Sequence, residues 1–198
     1  IWNHRRPERQ NGWIDFRFWK DMSVVMGAGV GGGSLIYANV SLVPHQEQFD
    51  EGWPPEITWD EMQQYYGHVG QMLKLQTLPL NQTTQRYELM RQAAEAIGQG
   101  VRFKPVTQAV TFSDAWSYDL EDPHDERHSR PWINAQGQQQ GTCIHCGNCD
   151  IGCDVNARNT LDLNYLAGAE RRHGAAVRPL HLVHHVSPHA DGFEVHYS

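Results

Sequence analysis

The sequence predicts an α+β fold, and three observations lead there. A Thr-x-x-Glu box at Thr58 and Glu61 precedes a helical stripe of apolar residues. A glycine-dense segment, VVMGAGVGGGSLIYANV, sits between two apolar runs at residues 24–40. Near the end, Phe193, Val195 and Tyr197 alternate with polar neighbours as a half-buried strand does.

Taken in order, the opening residues mix basic and aromatic side chains, which suits a loop feeding an extended segment from Trp13 to Phe18. Pro44 and the rigid GWPPEIT then lead to the first helix, where Met62, Tyr65, Tyr66, Val69, Met72 and Leu73 follow the 3.6-residue period. A second helix is expected from about Thr84 to Ile97, with Tyr87, Leu89, Met90, Ala93 and Ala94 apolar and Gly98 closing it. Residues 113–140 are poor in aliphatics and rich in Asp, His, Arg and Gln, so they read as a long surface excursion. A third helix enters near Thr160, carries Leu163, Leu166 and Ala169 on one face, and stops at Gly174. Two strands around a turn at Asp191 and Gly192 complete the pattern, and no internal repeat is visible.

Composition narrows the function classes. The chain has 198 residues, 39% of them hydrophobic, enough for a core despite a mean hydropathy of -0.61. Its net charge of -7, with Lys and Arg scattered, offers no basic stripe for nucleic acid. No apolar run approaches the roughly 18 residues of a membrane span, and no leader peptide is visible after Ile1.

The pattern G-x-G-x-x-G is met at Gly27, Gly29 and Gly32. A Rossmann unit also needs a following helix and a second strand ending in an acidic residue. Asp50 and Glu51 stand at a suitable distance, but PHQEQF precedes them and is no strand. The glycines are therefore expected to form a different loop, in which missing Cβ atoms let the backbone pass against a flat ligand.

Two segments carry a family resemblance. GAGVGGGSLIYANV resembles the second glycine segment of the glucose-methanol-choline (GMC) oxidoreductases, in particular their cholesterol oxidase-like branch. NARNTLDLNYLAGAERRHGAAVRPLHLVHHV is similar to the same branch, where a Lys/Arg-x-Ser/Thr-Leu-Asp helix leads into a strand near the adenine of FAD. The resemblance implies that Gly29, Gly31, Gly32, Gly33 and Ser34 lie on the flavin side, that Tyr37 and Val40 face the ring region, and that Val183 approaches the adenine. The sequence departs at Tyr37 and Asn39, where that branch tends to carry Asn and Gly.

The implied activity is FAD-dependent oxidation of the CH–OH group of a small-molecule alcohol, sterol-like or other. The family's amino-terminal adenine-binding unit and its catalytic His region are not in this chain, and none of its His is nominated as the base. The chain is therefore expected to be an internal fragment, inactive without the rest of its polypeptide. In those terms residues 1–48 belong to the FAD-binding domain, 49–140 to the substrate side or a lid, 141–158 to a cysteine loop, and 159–198 return to the FAD-binding domain.

All four cysteines fall in one run, C-x2-C-x2-C-x3-C, at Cys143, Cys146, Cys149 and Cys153. This is ferredoxin-like spacing, although the fourth Cys of such a run usually serves a second cluster and is followed by Pro, whereas Asp154 follows here. Three readings stay open: an iron–sulfur cluster, zinc or another structural ion, and disulfides or free thiols. A cluster would imply an electron acceptor other than oxygen and a bacterial cytoplasm, and it keeps two other classes in play, an electron-transfer module and a metal-stapled structural domain. His181, His184, His185 and His189 read as solvent-facing strand residues.

Overall fold

The computed structural model describes residues 1–3, 5–6 and 8–198. Strands β1 (Ile14–Phe18) and β2 (Ser23–Gly27) form an antiparallel hairpin with Phe16 opposite Val25. A 3-10 turn, Gly32–Leu35, follows at once, and it is another 3-10 turn, Gln46–Gln48, rather than a second strand, that leads into Asp50, so the Rossmann pattern fails in space as it does in sequence. Helix α1 (Trp59–Met72) begins where Thr58 Oγ1 accepts the Glu61 N–H at 3.3 Å, and α2 (Gln85–Ala96) begins in the same way at Thr84.

Four two-residue strands come next in the sheet inventory: β3 (Gln76–Thr77) pairs with β4 (Thr107–Gln108), and β5 (Trp132–Ile133) with β6 (Gln139–Gln140). The expected third helix is present but opens with a π turn, Asp162–Leu166, before α3 (Ala167–His173). Strands β7 (Val183–His189) and β8 (Gly192–Tyr197) form the final hairpin.

Residues 107–111 are the middle of the fold. On one side Ala109 N–H donates to Asn39 O and Ser41 N–H to Thr107 O, each at 2.9 Å. On the other, Thr111 N–H donates to Ala157 O and Asn159 N–H to Ala109 O, each at 2.8 Å. Three stretches far apart in sequence are thus laced into one irregular layer, with Ala109, Val110, Ala157 and Ile144 buried along it. Because backbone donors and acceptors there satisfy one another, the layer can be buried at little polar cost.

Residues 113–140 run mostly along the surface, as their composition suggests, but the segment is pinned at four buried points: Trp116 is 1% exposed, its indole N–H donates to Pro123 O at 2.7 Å, and Ser113, Asn134 and Gln140 are buried. Part of its polarity is spent on those anchors, since Asn134 Nδ2 donates to Gln140 Oε1 and to Leu163 O, and Gln140 Nε2 donates to Asn159 Oδ1. One expectation is corrected at β8, where Phe193 is 77% exposed and Val195 and Tyr197 are exposed as well. Its alternation marks a strand, but the hairpin packs mainly on itself, and its turn lies one residue earlier than expected, between the paired His189 and Gly192.

Candidate functional site

The glycine loop is built by close approach. A Cβ on Gly27 would run into the Gly32 carbonyl, so β2 can pass directly into the turn only with glycine there. Gly31 is buried at φ 108, a left-handed conformation that side chains avoid, and a Cβ on it would lie 3.1 Å from Asp162 Oδ1. Gly32 and Gly33 differ in having nothing within 4 Å of an added Cβ, which leaves one side of the turn open. Ser34 fastens the loop in two directions: its Oγ donates to Gly31 O at 2.7 Å and accepts the Leu161 N–H at 3.0 Å.

Arg158 is the larger fastening, and sequence reading missed its part. Only 2% exposed, its guanidinium donates to Ser34 O (2.6 Å), Leu35 O (3.0 Å), Tyr37 O (3.2 Å) and Asn39 Oδ1 (2.9 Å). A planar fork with fixed N–H directions can engage the carbonyls of one turn simultaneously, as a lysine cannot. Arg158 is the basic position of the R-N-T-L-D motif, so the signal was visible but its target was not. No carboxylate among the described residues is within ion-pair distance of it.

Asn39 accounts for one of the two sequence departures. Its φ of 64 is left-handed, the conformation in which glycine is at ease and Asn is among the more tolerant side chains. It is 1% exposed, and while its Oδ1 accepts from Arg158, its Nδ2 has no partner. Tyr37 is half-buried with the Arg158 guanidinium 5.8 Å over its ring; burial pushes its phenol pKa up, against the pull of that cation. Val40 and Gly29 are exposed, and Val183 stands on the exposed hairpin.

Cys143, Cys146, Cys149 and Cys153 line a single cavity of about 250 Å³, together with Asn39 and Arg158. All four are free thiols. The chain doubles back between them through His145 at φ 54 and Gly147 at φ 78. Backbone N–H groups point at two of the sulfurs, His145 to Cys143 Sγ at 3.3 Å and Ala157 to Cys153 Sγ at 3.2 Å. Burial pushes the Cys143 thiol up to about 12 and raises Cys149 too, although Arg158 pulls the latter down. His145 stacks on Trp116 with centroids 3.9 Å apart, and burial lowers its pKa to about 4, which keeps the ring neutral. Among the described residues no three His, Cys, Asp or Glu side chains are arranged to hold a single metal ion. The carboxy-terminal histidines are exposed, with His185 stacked on His196 at 4.0 Å.

The glycine turn, its arginine fastening and the adjoining cysteine cavity can be set beside known proteins. The chain is 35% identical over 211 residues to a cholesterol oxidase of Acinetobacter baumannii, an alignment covering 98% of this chain and 36% of that protein. It is 31% identical over 175 residues to a cholesterol oxidase of Mycobacterium tuberculosis (strain ATCC 25618 / H37Rv), covering 87% of this chain and 29% of that protein. The chain thus spans about a third of the length of the curated relatives it matches. No helix among the described residues is long and apolar enough to cross a membrane. The family model for GMC oxidoreductase matches residues 19–118, from the end of the first strand through the glycine turn and both long helices, and the chain belongs to that family.

Proposed function

We propose that this chain is part of an FAD-dependent oxidoreductase acting on the CH–OH group of an alcohol. The open side of the turn at Gly32 and Gly33 carries this reading, because it is backbone without Cβ, held rigid from behind by Arg158 and Ser34. A flat ring system needs such a surface, and a preorganised one costs little ordering on binding.

In this reading Gly29 and Gly31–Ser34 hold the flavin side, Tyr37 and Val40 border the ring region, and Val183 lies toward the adenine. When bound, FAD supplies the acceptor for the hydride leaving the alcohol carbon. This chain's own residues fix where that acceptor sits. Residues 1–48 and 159–198 form the cofactor side and are joined by the Leu161 N–H donated to Ser34 Oγ, with Arg158 at the end of the cysteine loop adding its bond to Ser34 O. Residues 49–140 contribute to the substrate side, and the catalytic base and the adenine-binding unit come from the remainder of the polypeptide. The substrate is a small-molecule alcohol of sterol-like or other shape.

Purification of the full-length polypeptide followed by denaturation tests this. Release of one FAD per chain, with bleaching of the flavin band on addition of an alcohol substrate such as cholesterol or a long-chain primary alcohol, is the expected result. A polypeptide that is folded yet colourless, and takes up no FAD on incubation, overturns it.

A further inference from the structure

The cysteine cavity is bounded by Arg158, the residue that also fastens the glycine turn, and it has the features of a built site. We propose that Cys143, Cys146, Cys149 and Cys153 together hold an iron–sulfur cluster of the four-iron type in this cavity. Four observations converge on it. The first is the ring itself: all four sulfur-bearing residues line one space of about 250 Å³. A run of this spacing commonly sends its last Cys to a second cluster. Here Cys153 turns back to the same cavity as the other three, so one local run supplies a complete set of four thiolates.

The second is spacing. Zinc knuckles pair their Cys-x2-Cys units a dozen or more residues apart, whereas all four cysteines here fall between Cys143 and Cys153 in one ferredoxin-like run.

The third is charge. Arg158 lines this cavity as a buried cation with carbonyl and amide oxygens as its partners and no carboxylate among the described residues to balance it. Four thiolates around a cluster give a net anion, and such an anion compensates the guanidinium in a medium where an unbalanced charge is costly. The fourth is hydrogen bonding: backbone N–H groups already donate to Cys143 and Cys153 Sγ, and the unpartnered Asn39 Nδ2 belongs to a residue lining the same wall. Donors of this kind stabilise cluster sulfurs and set their potential.

The proposal is independent of the flavin reading, and its test separates the two. The full-length polypeptide is purified without oxygen, and iron, acid-labile sulfide, zinc and flavin are each measured per chain. About four iron and about four sulfide are expected, with broad visible absorbance that bleaches on reduction by dithionite, whatever the flavin content. Protein isolated in air is then incubated anaerobically with ferrous iron and sulfide, and the same spectrum should return. Cys149→Ser should remove most of the iron while circular dichroism stays that of the parent. Stoichiometric zinc without sulfide overturns the proposal, as does a folded chain with four alkylatable thiols that assembles nothing on reconstitution.

Discussion

Arg158 and Asn39, separated by 119 residues, are joined by a hydrogen bond of 2.9 Å from Nε to Oδ1. The same guanidinium holds the Ser34 and Leu35 carbonyls of the glycine turn and the Tyr37 carbonyl just beyond it, so the shape of that turn is set by a residue far along the chain. Asn39 is held in a left-handed conformation by its carbonyl, bonded to Ala109, and by its side chain, bonded to Arg158. The turn is therefore rigid before any ligand arrives.

Replacing Arg158 tests this directly. Arg158→Lys keeps the charge but cannot span four oxygens, and Arg158→Met removes both. Each should lower the unfolding free energy of the full-length protein by about 2–4 kcal/mol, from buried acceptors left without donors. Urea titration followed by circular dichroism measures it. A Lys variant as stable as the parent would show that the fork geometry is irrelevant.

Gly33→Val separates ligand space from folding. Nothing lies within 4 Å of the added Cβ and φ at Gly33 is not positive, so unfolding midpoints of the flavin-free protein should change by less than about 0.5 kcal/mol. Flavin affinity should fall about tenfold or more, worth about 1.4 kcal/mol. Fluorescence titration with FAD reads the difference, and an unchanged affinity removes Gly33 from the cofactor surface.

Trp116→Ala should destabilise the protein by about 3–5 kcal/mol. The indole is 1% exposed, packs on Tyr118 and His145, and donates to Pro123 O. Increased protease cleavage within residues 113–140 should accompany the loss. Unchanged stability would show that Trp116 does not anchor that segment.

Cys146 is exposed while the other three thiols are partly covered. With the cavity stripped by chelator under reducing conditions, maleimide should modify Cys146 first, as peptide mapping by mass spectrometry would show. Equal rates at all four positions would mean that the loop opens on the labelling timescale.

The three helices, the glycine turn and the final hairpin were legible in the sequence because each is a local pattern: a cap, a period or a run of glycines. What was not legible is what those elements meet. Trp116 and Gln140 sit in polar surroundings in sequence and in the core in space: the Trp116 indole donates to Pro123 O, and the Gln140 amide bonds both Asn134 and Asn159. Phe193 shows the reverse, an apolar alternation that is exposed in this chain. At the site, the glycines and cysteines stood out by their own chemistry. Arg158 did not, because one arginine in a helix-leading motif gives no hint of the four oxygens it gathers.

The layer formed by residues 39–41, 107–111 and 157–159 has a kinetic corollary. During synthesis the glycine turn leaves the ribosome more than a hundred residues before its arginine, so its final shape waits for closure of a very long loop, the slow class of folding event. A ribosome stalled before residue 158 would display a nascent chain whose turn is still pliable, and chaperones or proteases would meet it in that form.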